Sequence, residues 1–139
     1  MTGAFEREVL AQPDAISQLT DAVLDYLSGA GVDARTAHHV ALAFDELLTN
    51  LGTHGNSAEK PATVRIVVEP DKVQAQIVDS GPPFDIRDAA PPNLSTSIED
   101  RPIGGLGLFL VRQFASEVGY TRRGDANCTS FAIARSAGS

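Results

Sequence analysis

Residues 40 to 55, VALAFDELLTNLGTHG, restrict the fold of this chain more than any other stretch. Ala37, Val40, Ala41, Phe44, Leu47, Leu48 and Leu51 recur at i, i+3, i+4, i+7, i+10, i+11 and i+14, the helical period, and define a face for a core. Glu46 and Asn50 stand one turn apart on the flank of the same helix, away from the centre of the apolar stripe. A carboxylate one turn before a carboxamide sets a potential base beside an oxygen ligand for a hard cation such as Mg²⁺, which binds substrate phosphates and keeps several waters. The same pair is also an ordinary solvated surface feature, so the remaining segments must decide between the two.

The segment before the helix supplies packing partners. Phe5, Arg7 and Val9 alternate with Glu6 and Glu8 as in a short strand. After Pro13, Ile16, Leu19, Val23, Tyr26 and Leu27 keep helical spacing until the stop signals Gly29 and Gly31. Asp33 is a suitable N-cap for the organising helix, which should run from Ala34 to the exit at Gly55. His38 and His39 lie early on it, and no accompanying cluster of ligand-type residues makes them a metal site.

Downstream, ATVRIVVE (residues 62–69) and KVQAQIVDS (residues 72–80) alternate as two strands around Pro70-Asp71, a β-hairpin. The second strand ends on Asp79, followed by Ser80-Gly81. That is either a carboxylate set close to a ligand or an ordinary turn. From Gly81 to Ile103 periodicity is absent and prolines recur, which predicts a loop long enough to serve as a lid. Gly104, Gly105 and Gly107 then open a helix carrying Leu106, Leu110, Val111 and Phe114. Backbone N–H groups at such a terminus, unobstructed by Cβ atoms, favour a phosphate. Residues 117–123 and 129–135 close the chain as a strand pair around Gly124-Asp125. The fold class expected is α+β: one two-layer α/β sandwich spanning residues 1–139, with helices on one face of a mixed, mostly antiparallel sheet.

Charge and cysteine usage narrow the function. A formal charge of −7, with no basic cluster longer than Arg122-Arg123, argues against a nucleic-acid surface. The single cysteine, Cys128, excludes an internal disulfide and fits a reducing cytoplasm. No apolar run approaches the ~20 residues of a membrane span. The expected location is therefore cytoplasmic, without membrane contact.

Three segments in this order resemble the GHKL superfamily, the ATP-binding fold of gyrase-type ATPases, MutL, sensor histidine kinases and bacterial anti-sigma factor kinases. Glu46-Leu-Leu-Thr-Asn50 is similar to the N box, Asp79-Ser-Gly81-Pro-Pro-Phe84-Asp85 to the first glycine box, and Gly105-Leu-Gly107-Leu-Phe-Leu-Val to the second. The resemblance implies ATP and Mg²⁺ as cofactors. Asn50 would coordinate the metal, Asp79 would accept from the adenine amino group, and Gly105 and Gly107 would approach the phosphates. Gly81 and Phe84 would join the nucleotide-binding set, and Thr129 matches the threonine near the adenine. Cys128 departs from the glycine that the family often places before that threonine.

Sensor histidine kinases usually carry asparagine where this chain has Glu46, and residues 1–33 offer no helical hairpin with a phosphoacceptor histidine. The DSGPPFD form of the first box and GGLGLFLVRQFASEV resemble the anti-sigma factor serine/threonine kinases. That resemblance implies transfer of the ATP γ-phosphoryl group to a small antagonist protein, with Glu46 as base, a sigma factor as the other partner, and a homodimer. Anti-sigma kinases can place an arginine where this chain has Ile103, and Arg101 on the lid would substitute as the second catalytic residue. Two alternatives stay open: a nucleotide-dependent module of the same fold that sequesters a partner without phosphorylating it, and an ATPase that transfers to water.

Overall fold

The computed structural model describes residues 4–54, 60–83, 85 and 111–135. The element order is β1 (Phe5–Val9), α1 (Pro13–Gly29), α2 (Ala34–His54), β2 (Ala62–Val68), β3 (Lys72–Asp79), β4 (Glu117–Arg123) and β5 (Ala126–Ala134). Residues 111–114 are also helical and precede β4. The five strands form one sheet in the order β1-β2-β3-β5-β4. The sheet, expected to be mixed and mostly antiparallel, is antiparallel at all four of these pairings.

Both long helices form where the apolar period and the end signals coincide. Pro13 occupies the first turn of α1, where its missing N–H costs nothing, and Ile16, Leu19, Val23 and Leu27 are its buried stripe. Gly31, with φ 81°, makes the left-handed turn between the helices that a side chain would oppose. Asp33 Oδ2 then accepts from the Thr36 N–H at 3.0 Å, the N-cap expected from the sequence. Near the end of α2, a Cβ on Gly52 would meet the carbonyl oxygen of Ala11 at 2.3 Å, so this glycine lets the β1–α1 connection lie directly on the helix.

Alternation along the strands turns one face of the sheet toward the helices. Val64 and Ile66 of β2, Val73, Ala75 and Ile77 of β3, and Phe131 and Ile133 of β5 are buried there with Val40, Phe44, Leu47 and Leu48 of α2. Phe44 meets Phe131 edge to face, ring centroids 5.4 Å apart, which ties helix layer to sheet.

One boundary differs from the sequence expectation. The last strand begins at Ala126, not residue 129, because Arg123 pairs Ala126 around the two-residue turn Gly124-Asp125 and the ladder continues without a gap. Polar Asn127 and Cys128 carry little strand propensity, and it is pairing on both sides that draws them into the sheet.

Candidate nucleotide site

Pairing between β3 and β5 sets Val73 opposite Ile133, Ala75 opposite Phe131, Ile77 opposite Thr129 and Asp79 opposite Asn127. These pairs share the inner face, so the row passes from apolar at one end to polar at the other. Among the described residues, the buried polar or charged side chains are Thr36, Asn50, Asp79, Asn127 and Thr129. Burying such groups costs free energy unless they are bonded or serve a ligand. Thr36 belongs to the α2 cap. Three of the other four are residues that the sequence marks for the site, and the fourth, Asn127, is new.

Asp79 is 4 % exposed, and its Oδ2 accepts from the Gly81 N–H at 2.9 Å and from Asn127 Nδ2 at 3.2 Å. The turn after β3 is therefore folded back on the carboxylate, an Asx-type closure. Both bonds use the same oxygen.

Helix α2 presents three faces. The first enters the core. The second borders a groove against α1 lined by Ile16, Thr20, Leu24, Ala41, Leu42 and Asp45. The third carries His39, Ala43, Glu46 and Asn50 at intervals of three and four residues. His39 stacks on Phe114, centroids 4.5 Å apart and 11° from parallel, so helical residues 111–114 meet the N-terminal part of this face. His39 is accordingly a packing residue. Asn50 is only 8 % exposed, on the side of the helix that Ala43 and Leu47 share.

Asn50 Nδ2 donates to the main-chain carbonyl of Glu46 at 2.9 Å. This commits the amide nitrogen and leaves the carbonyl oxygen as the end that a hard cation would take. Glu46 is half-buried, and its carboxyl is held above the ordinary carboxylate value, first by burial and second by the negative charge of Asp45. The shift makes Glu46 a stronger base than a solvated glutamate. Among the described residues no group of three or more His, Cys, Asp or Glu could hold a metal ion on its own. A single amide oxygen fits Mg²⁺ bound mainly by phosphates and water, and does not fit a dedicated protein cage.

Structure thus joins Glu46 to Asn50, and Asp79 to Gly81, with Thr129 opposite Ile77 and diagonal to Asp79 on the same sheet face. Phe84, Arg101, Gly105 and Gly107 lie outside the described residues, as do Ile103 and most of the expected lid. Sequence reasoning missed Asn127. The available signal was its spacing of two from Thr129, which puts both on one strand face once the strand is extended.

The sequence pattern of the histidine kinase-like ATPase domain matches residues 9–133. Serine/threonine-protein kinase BtrW of Bordetella bronchiseptica is 33% identical over 92 residues, which are 65% of this chain and 65% of that protein. Serine-protein kinase RsbW of Listeria monocytogenes is 27% identical over 114 residues, covering 78% of this chain and 73% of the relative. The first of these matches spans slightly less than two thirds of the relative's length. Among solved structures, the RsbU and RsbW domains of Rv1364c from Mycobacterium tuberculosis superpose with a TM-score of 0.69 at 15% identity, over 96% of this chain and 33% of that one. A chain of the SiaB-SiaC complex from Pseudomonas aeruginosa gives 0.61 at 17% identity, over 94% of this chain and 88% of that one. At these identities the superpositions speak for the fold.

Proposed function

This chain belongs to the histidine kinase-like ATPase domain family, and we propose that it is an ATP-dependent protein serine/threonine kinase working as an anti-sigma factor in partner switching. The observation that carries the reading is Glu46: a half-buried carboxylate of raised basicity, one turn before a buried asparagine on the same flank of α2. A helix built only for packing has no use for a half-buried, unfavourably ionised carboxylate there. The curated relatives named above are serine or serine/threonine kinases, which supports the same choice.

In the reaction, Asp79 holds the adenine amino group and the β3–β5 strand end fixes the base. Asn50 would hold Mg²⁺ through its amide oxygen, and the metal would supply charge neutralisation on the β- and γ-phosphates. Glu46 orients the acceptor hydroxyl of a serine or threonine on a small antagonist protein and takes its proton. As the hydroxyl oxygen bonds to the γ-phosphorus, the bond to the β,γ-bridging oxygen breaks and ADP leaves. Arg101 serves the transferring phosphoryl group in place of the arginine that Ile103 replaces. The unphosphorylated antagonist draws the kinase from a sigma factor, and phosphorylation reverses this. The working form is a cytoplasmic homodimer. No helix among the described residues is long and apolar enough to cross a membrane.

Transfer of labelled γ-phosphate from ATP to a cognate antagonist tests the proposal. Transfer reduced by about 10²–10⁴-fold in Glu46→Gln is the expected result. Binding of antagonist and ATP without transfer by the unaltered protein would replace the kinase with a sequestering module, and steady ATP turnover with no protein acceptor would replace it with an ATPase.

A further inference from the structure

Asn127 is 1 % exposed and every polar atom of its side chain is engaged. The two hydrogens of its amide nitrogen are shared among three acceptors, Asp79 Oδ2 at 3.2 Å, the Gly81 carbonyl at 3.2 Å and the Pro82 carbonyl at 2.8 Å. Its carbonyl oxygen accepts from Arg122 Nη1 at 3.0 Å and from the Tyr120 hydroxyl. Three acceptors at one end and two donors at the other fix which end is nitrogen, and no other side chain of this length offers both. Arg122 Nη1 also donates to the Gly81 carbonyl at 2.7 Å, so the turn after Asp79 is gripped from β4 as well as β5.

This arrangement has a consequence for base choice. A carboxylate accepts and cannot donate, so it favours a base edge with an exocyclic amino group and repels one with a carbonyl at the same place. The preference is strong only if the carboxylate cannot rotate. Asn127 supplies that condition, by holding Oδ2 in place with a donated hydrogen bond. We infer that Asn127, backed by Arg122 and Tyr120, is a positioning residue that sets adenine-over-guanine specificity through Asp79. The inference rests on the reading of Asp79 as the adenine acceptor.

The test measures ADP and GDP affinities by calorimetry, with Mg²⁺, for the full chain and for Asn127→Ala, Arg122→Ala, Asp79→Asn and the Asn127→Ala/Asp79→Asn pair. Asn127→Ala should lower the ADP preference about 10- to 100-fold, the range for a lost hydrogen bond to a charged group. Arg122→Ala, on an exposed edge strand, should lower it less and leave thermal unfolding nearly unchanged. The double variant should discriminate no worse than Asp79→Asn alone, since Asn127 acts through that carboxylate. A purely structural role would weaken ADP and GDP equally or lower only the unfolding temperature, and either result overturns the inference. If Asn127→Ala does not fold, an unchanged ADP preference in Arg122→Ala overturns it and a reduced one supports it. If Asp79→Asn itself leaves the preference intact, the adenine reading of Asp79 fails and the inference with it. If Asp79→Asn removes the preference while Asn127→Ala keeps it, only the positioning role fails.

Discussion

The side-chain amide of Asn50 donates to the main-chain carbonyl of Glu46 at 2.9 Å, so the proposed base and the proposed cation ligand are held in one turn of α2. Moving either residue disturbs the other only through that turn, and their contributions can be separated by substitution.

Asn50→Ala removes the oxygen a hard cation would take and leaves the helix intact, because alanine is the better helix former. Nucleotide affinity should fall in the presence of Mg²⁺ and be nearly unchanged when the metal is chelated. Titration calorimetry with and without chelator measures the difference. Equal losses under both conditions would remove Asn50 from the metal site.

Glu46→Gln keeps size and much of the hydrogen bonding and removes the base. Phosphate transfer should fall by about 10²–10⁴-fold while ATP affinity holds. In the unaltered protein the acid limb of the transfer rate should lie above the ordinary glutamate value of 4.5, because burial and Asp45 raise the pKa. An acid limb at the ordinary value would separate Glu46 from the proton transfer.

The same shift makes a stability prediction of definite sign. Between 4.5 and the raised folded value, the folded state binds more proton at Glu46 than the unfolded state, so stability falls as pH rises through that window. At neutral pH the whole cost is present, and Glu46→Gln abolishes it. Its melting temperature should exceed that of the unaltered protein at pH 7, with the two converging as pH drops below the ordinary value. A variant less stable at neutral pH would mean that the carboxylate makes a favourable contact.

Gly52→Ala would place a Cβ 2.3 Å from the Ala11 carbonyl oxygen, a backbone atom that cannot rotate aside. Overpacking of this kind costs about 1–3 kcal/mol. Urea denaturation should show the loss as a lower midpoint, despite the better helix propensity of alanine.

The periodicity of residues 34–54, the Asp33 cap, the hairpin around Pro70-Asp71 and the order of elements were legible in the sequence, because each is decided by residues close in the chain. Helical spacing, a side chain three residues from the N–H it caps, and alternation over seven or eight residues are local physics. Glu46, Asn50 and Asp79 were marked only by the resemblance of their segments to known motifs, because their local spacing alone reads equally as a solvated surface pair and an ordinary turn.

Tertiary structure alone decided that β5 enters between β3 and β4, and this insertion is what brings Asn127 opposite Asp79 and Arg122 to the Gly81 carbonyl. A polar residue at the start of a strand has no propensity to announce it. Its hydrogen bonds exist only when a segment 48 residues away in sequence arrives to accept them. The stacking of His39 on Phe114 is of the same kind, set by which segment meets that part of α2 and not by the helix itself.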